Sequence, residues 1–214
     1  MAERPSARFW DRISEKYAGQ PVADEAAYQE KLRITREYLR PEMEVLEIGC
    51  GTGSTAIAHA PYVRHIRAVD FSANMVEIAR GKARAGNIAN VSFEQAAVDT
   101  LDVEDGSVDA VLALSVLHLL DDRQAAIGKA YRWLRPGGIF VSSTACLSDS
   151  MAFLRFILPI VRFFGRAPMV KFFSSAELRQ DIENAGFAIE REWMPGPGKA
   201  LFMVARKPVA TAQL

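Results

Sequence analysis

From residue 45 onward the chain alternates short apolar runs with segments of helical period. Val45–Ile48, Ile66–Val69, Val91–Phe93, Val108–Leu114 and Ile139–Ser143 are rich in Val, Ile, Leu and Phe and predict five strands. Val108–Leu114 is nearly continuous in apolar residues, as a strand buried on both faces of a parallel sheet should be. Between the runs lie helical segments. One covers 54–60; a second is capped by Ser72 and runs to about Ala85, with apolar Met75, Val76, Ile78 and Ala79. A third opens at Asp121-Asp122 and ends near Leu134, where Pro136-Gly137-Gly138 stops it. Ahead of the alternation, residues 7–40 predict two helices, from Arg8 to Tyr17 and from about Asp24 to Leu39, the second ending before Pro41.

After the fifth strand the rhythm breaks. A long segment, 145–173, precedes a helix at 174–185, capped by Ser174 or Ser175 and stopped by Gly186. Phe187–Trp193 and Ala200–Ala205 predict two closing strands. Their join, Pro195-Gly196-Pro197-Gly198, is too short for anything but an antiparallel pair. Residues 208–214 read as a frayed tail. The pattern predicts an α/β fold in a single domain over 1–207, with a helical cap at 1–40 and an insertion at 145–173.

The chemistry concentrates in Val45-Leu46-Glu47-Ile48-Gly49-Cys50-Gly51-Thr52-Gly53-Ser54. A strand ends beside an acid, three glycines follow at alternate positions, and a helix begins. Such a loop lets the backbone approach a nucleotide-like ligand at the carboxyl edge of an open sheet. Two registers fit. Gly51-Thr52-Gly53-Ser54-Thr55-Ala56 matches the dinucleotide fingerprint, with Asp70 at its ribose-binding position about 20 residues on. The other register is Glu47-x-Gly49-x-Gly51-x-Gly53. Glu47 favours it, because a buried carboxylate needs a partner and a cationic ligand would supply one.

Composition narrows the partners. The 26 Lys and Arg residues balance 26 Asp and Glu, leaving no basic footprint for DNA or RNA. Met1-Ala2-Glu3-Arg4-Pro5 leads into a charged amphipathic segment rather than an apolar leader. With only Cys50 and Cys146, no disulfide framework is expected, and a cytoplasmic location fits. His59, His65 and His118 do not cluster with cysteine or acid at ligand spacing, so no metal site is expected.

Further segments extend the glycine-loop match. Val69-Asp70-Phe71-Ser72-Ala73-Asn74-Met75, Asp105-Gly106-Ser107-Val108-Asp109, Ser115-Val116-Leu117-His118-Leu119-Leu120 and Leu134-Arg135-Pro136-Gly137-Gly138 together resemble the motifs of class I S-adenosylmethionine (SAM) methyltransferases. The resemblance covers about 41–145 closely and 174–206 by pattern, nearest to a small bacterial branch acting on quinones, lipids and small molecules. It implies a Rossmann-like, seven-stranded, mostly parallel sheet, order 3-2-1-4-5-7-6, with strand 7 antiparallel and helices on both faces. It also implies SAM as cofactor and S-adenosylhomocysteine as product.

By that resemblance Gly49, Cys50, Gly51 and Gly53 pass under the methionine and ribose portions, and Glu47 faces the methionine amino group. Asp70 takes the ribose hydroxyls, Phe71 and Met75 flank the adenine, and Ser115 stands beside the sulfonium. Plainer readings stand beside these: Asp70 as a helix cap, Met75 as core packing. Many relatives carry Gly-Asp-Ala where this chain has Ala96-Ala97-Val98, so either Asp99 or the Val98 backbone amide holds the adenine. His118 is the candidate general base, with a substrate contact or a wall residue as alternatives. Trp10 and Tyr17 either cover the cofactor or pack the core, and Cys146 and Phe153 are assigned to the acceptor side. The rival function, a nicotinamide-dependent reductase of the short-chain type, would need Tyr-x-x-x-Lys, and none of the five tyrosines has Lys four residues later.

Residues 150–173 are apolar with interspersed Arg155, Arg162, Arg166 and Lys171, and carry no acid. They read either as a helical hairpin closing the core or as a mobile cover that admits an apolar or amphipathic acceptor. A basic amphipathic helix of this kind can also rest on anionic lipid.

Overall fold

The structure, a computed structural model, describes residues 5–163 and 167–209; Arg166 and most of the tail expected at 208–214 lie outside them. Seven strands form one sheet: β1 Glu44–Ile48, β2 His65–Asp70, β3 Val91–Gln95, β4 Val108–Leu114, β5 Leu134–Thr144, β6 Ala188–Trp193 and β7 Leu201–Arg206. Their order is β3-β2-β1-β4-β5-β7-β6. Neighbours from β3 to β5 pair in parallel, and β7 runs antiparallel to both β5 and β6.

Burial on both faces explains the unbroken apolar strands. One face packs Leu46, Ile48, Val69, Val111 and Phe140 with Trp133 and Ile182. These last two come from α5 (Arg123–Trp133) and α8 (Ser175–Asn184). The other face packs Val45, Ile66, Ala68, Leu112 and Val141 with Ile34, Val76 and Ala79. Those come from α2 (Glu25–Tyr38) and α4 (Ala73–Ala85). The chain moves outward from β1 to β3, returns to β4 on the other side of β1, and so reverses its order there. The crevice at such a switch point is where open α/β sheets place their ligands. Here it lies between the ends of β1 and β4.

One local feature differs from the sequence pattern. β5 starts at Leu134, directly after α5, instead of after the glycine pair. Leu134 pairs with Val108 and Ile139 with Ala110, so Arg135-Pro136-Gly137-Gly138 forms a bulge within the strand. The bulge is held by Arg135 Nη1 donating to Asp109 Oδ2 at 2.6 Å and by the Gly137 N–H donating to the Lys207 carbonyl at 2.9 Å. The described residues of the 145–173 segment hold two short helices, as expected for a helical insertion, α6 (Leu147–Ser150) and α7 (Leu154–Phe163). Of the two candidate caps for α8, Ser174 holds the position: its hydroxyl accepts from the Glu177 N–H and the Glu177 carboxylate accepts from the Ser174 N–H.

Helix α1 (Pro5–Ala18) is tied to the start of α4 through Asp11, by its side chain and its carbonyl. Asp11 Oδ1 accepts from Ser72 Oγ at 2.5 Å and from the Asn74 N–H at 3.1 Å, and the Asp11 carbonyl accepts from Asn74 Nδ2 at 3.0 Å. A carboxylate serves well there, because it meets unsatisfied N–H groups at the positive end of the helix. Charged hydrogen bonds of this kind contribute about 1.5–3 kcal/mol. Asp11→Ala is therefore expected to speed hydrogen exchange across α1 while the sheet keeps its protection. Unchanged exchange in α1 would show that the anchor lies elsewhere.

Candidate functional site

The site starts where β1 runs out. Gly49, Gly51 and Gly53 all have left-handed backbones, with φ of 68°, 52° and 74°. The Cys50 N–H donates to the Val69 carbonyl and the Gly53 N–H to the Cys50 carbonyl, both at 3.0 Å. The three glycines answer three different constraints. A Cβ on Gly49 would stand 2.4 Å from Val116 Cγ2, and one on Gly53 would stand 2.7 Å from Ala79 Cβ and the Phe93 ring. A Cβ on Gly51 would meet nothing within 4 Å, because Gly51 faces a cavity of about 620 Å³.

Two acids stand beside the loop. Asp70, the last residue of β2, is buried. Its Oδ2 accepts from the Gly51 N–H and its Oδ1 from the Ser72 N–H, both at 2.9 Å. Burial raises its pKa, against the pull of these backbone donors. Glu47 is 2% exposed, and its Oε2 meets no hydrogen-bond partner among the described residues. Burial, reinforced by the Asp70 charge, pushes its pKa up to about 8.

The cavity brings together Glu47, Gly49, Cys50, Gly51, Asp70, Phe71, Met75 and Ser115 from the sheet edge, with Trp10 and Tyr17 from α1. The two aromatic rings of α1 meet edge to face at 5.9 Å. Ser115 follows β4 with φ of 61°, a conformation that costs a non-glycine residue about 1–3 kcal/mol. Its N–H donates to the Ser143 carbonyl at 2.7 Å, which pins the turn beside the cavity. Cys50 reaches the wall as a thiol, since burial holds its pKa well above the ordinary value.

Six other candidates do not line this cavity. Gly53 serves the packing of the loop against α4 and β3. Val98 is buried in the core, and the carbonyls of Val98 and Asp99 accept from Lys129 Nζ, tying this stretch to α5. Cys146 is buried in the same core, its thiol pushed up to about 12 mainly by burial. Phe153 is 60% exposed on the surface. His118 is the main correction. The 3₁₀ turn Leu117–Leu119 turns Leu119 to the cavity and leaves His118 outside it. The His118 Nδ1 is buried without a partner among the described residues and burial drops its pKa to about 4, so it is a neutral, weakly basic side chain off the cavity.

The cavity also has a face that the apolar pattern did not mark. Tyr28, Lys31 and Thr35 of α2 line it, as do Pro195, Lys199 and Ala200 from the β6–β7 join. The signal was in the spacing: positions 28, 31, 32 and 35 share one side of α2 and all four line the cavity, whereas Ile34 points to the sheet core. Lys31 is half-buried, which lowers its pKa.

Residues 45–138 match the family described as a methyltransferase domain. The matched stretch holds the glycine loop, both acids and Ser115. An uncharacterized methyltransferase of Bacillus subtilis, YcgJ, is 34% identical over 110 residues, covering 51% of this chain and 44% of the relative. A demethylmenaquinone methyltransferase of Leptospira interrogans is 34% identical over 122 residues, covering 51% and 49%. The chain thus spans less than half the length of these curated relatives. Among solved structures, the [4+2]-cyclase SpnF superposes with a TM-score of 0.79 at 18% identity over 95% of each chain, a likeness of fold. The matched domain spans under half of the chain; with the strand order it supports a class I SAM-dependent methyltransferase, a family whose cofactor is SAM.

The residues present fit that cofactor. Glu47 offers a buried acceptor oxygen suited to an ammonium group. Asp70 keeps free lone pairs for hydroxyl groups beyond its two backbone bonds, because a carboxylate accepts about four. Gly51 leaves open the space a side chain would fill. Gly53→Ala should therefore destabilise the fold, whereas Gly51→Ala should fold and lose SAM. Thermal unfolding and equilibrium binding of the two variants separate these roles, and equal SAM affinity in Gly51→Ala would contradict the assignment.

Glu47 also sets a pH dependence. Its folded pKa of about 8 lies above the ordinary 4.5, so the folded state holds the extra proton between these values. The stabilisation is full below about pH 4.5 and is lost as pH rises through about 8, with a slope of at most about 1.4 kcal/mol per pH unit. Asp70, raised in the same direction, adds to the low-pH side of this slope. Denaturant titrations of the ligand-free protein should show the decline, and Glu47→Gln should flatten it. An unchanged slope in Glu47→Gln would contradict the assignment.

Proposed function

We propose that the protein transfers a methyl group from SAM to a small apolar or amphipathic acceptor by in-line displacement. The observation that carries the reading is the buried, unpartnered Glu47 oxygen beside Asp70 and the open Gly51 backbone. SAM, when bound, supplies a methyl group on positively charged sulfur that needs no further activation. Glu47 would then give up its proton and accept from the methionine ammonium. Asp70 would accept from the ribose hydroxyls while it holds the loop through Gly51. Phe71 and Met75 would flank the base, and Ser115, Val116 and Leu119 would wall the reacting end against water.

The acceptor face would be the α2 stripe of Tyr28, Lys31 and Thr35 with the β6–β7 join. Apolar walls with a few polar groups suit an amphipathic molecule. Alignment of donor and acceptor supplies roughly 7–11 kcal/mol of such a reaction, against about 3–5 kcal/mol for a general base. The position of His118 outside the cavity is consistent with that ranking. A second reading, SAM bound without methyl transfer, draws on the fold-level likeness to a cyclase.

Calorimetry with SAM and with NADH, followed by methyl transfer from labelled SAM to a panel of amphipathic acids, phenols and amines, separates these readings. SAM should bind and NADH should not, and label should reach at least one acceptor. Asp70→Ala should weaken SAM roughly 10–150-fold, the loss expected for hydrogen bonds to a charged group. His118→Ala should lower turnover less than about tenfold, short of the 10²–10⁴-fold of a lost base. Tight NADH binding, or SAM affinity untouched in Asp70→Ala, would overturn the reading.

A further inference from the structure

Helix α7 and the turn before it have no place in the cavity, yet they carry the most unusual surface of the molecule. Half of the large apolar side chains exposed among the described residues, Met151, Phe153, Phe156 and Ile157, fall within this one stretch. Phe156 is 75% exposed. Positions 153, 156 and 157 follow the i, i+3, i+4 spacing that puts side chains on one side of a helical turn. Exposed apolar groups gathered in this way mark an interaction surface.

The charge of the segment says what kind. From Ser150 to Ala176 the sequence has Arg155, Arg162, Arg166 and Lys171 and no acid, a local charge of +4 in a chain whose net charge is zero. The rest of the chain therefore carries −4. The flanking acids are engaged in the fold: Asp149 accepts from the Ser175 N–H at 2.9 Å, and Glu177 closes the cap of α8. Lys171 Nζ lies 3.4 Å from Asp121, and the Arg155 guanidinium lies 6.0 Å from the Phe172 ring centre. A second copy of the chain would bring like charge against like charge on this face. No helix of the described residues is long and apolar enough to cross a membrane, and α7 spans only Leu154–Phe163.

The surface begins at the cavity rim. A Cβ on Gly198 would stand 3.1 Å from Ser150 Oγ, so the end of α6 packs on the β6–β7 join. The next residues of that join, Lys199 and Ala200, line the cavity.

We propose that the face formed by Met151, Phe153, Phe156 and Ile157 docks on an anionic lipid bilayer, with these side chains at the headgroup boundary and Arg155 against lipid phosphates. Exposed aromatic and aliphatic groups and a local excess of basic charge are the two components of such interfacial binding. The contact would set the cavity rim beside the bilayer, where an amphipathic molecule could be taken up without crossing water. This inference goes beyond the methyl-transfer reading and does not depend on it.

Flotation of the full-length protein with vesicles of phosphatidylcholine alone, and with added phosphatidylglycerol, provides the test. The wild type should float with the anionic vesicles and not with the neutral ones, and raised salt should release it. Phe156→Asp should weaken binding at least about tenfold, and Arg155→Glu about fivefold, with SAM affinity and melting temperature unchanged in both. The proposal is overturned if the wild type stays in solution with anionic vesicles, or if Phe156→Asp floats as well as the wild type. Sedimentation of a wild-type dimer that Phe156→Asp dissociates, without vesicle binding, would assign the face to a second copy instead.

Discussion

Two carboxylates buried side by side are costly unless each finds donors or a proton, and this sheet buries Glu47 and Asp70 at the ends of neighbouring strands. They resolve the conflict differently. Asp70 takes two backbone N–H groups, from Gly51 and Ser72. Glu47 finds none for Oε2, so without a ligand it keeps its proton near neutrality. The local structure follows from this division. The left-handed loop aims the Gly51 N–H at Asp70. Val116, Ala79 and Phe93 fill the spaces that side chains at Gly49 and Gly53 would have taken.

The same acid couples the loop to the helical cap. Ser72 donates its N–H to Asp70, and its hydroxyl accepts from the Met75 N–H to cap α4 and donates to Asp11. A short chain of polar contacts therefore runs from the glycine loop through Asp70 and Ser72 to α1, which carries Trp10 and Tyr17 to the cavity. The ordering of α1 and the ordering of the site share these bonds. Networks of this kind are worth more intact than their separate members suggest.

Much of this was legible in the residues. Strand periodicity placed every strand, and the short Pro-Gly join required the antiparallel pair that β6 and β7 form. Glu47, Gly51 and Asp70 stood out because acids at strand ends and a glycine loop between them suit a nucleotide-like ligand. The rest depended on contacts remote in sequence. The bulge at 135–138 is set by Asp109 and Lys207. His118 was a reasonable candidate from its place after β4, but the strained turn at Ser115 and the 3₁₀ turn after it decide which side chain faces the cavity. The polar stripe of α2 was visible as spacing, though only tertiary packing reveals that it faces the cavity instead of water. The segment 145–173, expected either as a helical hairpin or as a cover, holds two short helices among its described residues, with Phe153 exposed.

The claim on which the account rests is that Glu47 surrenders a buried proton when a cationic ligand arrives. Titration of SAM into the protein at about pH 6.5, in buffers of different ionisation enthalpy, measures proton exchange directly. The expected result is release of about one proton per SAM bound, abolished in Glu47→Gln. SAM binding with no net proton release, or the same release in Glu47→Gln, would contradict the account.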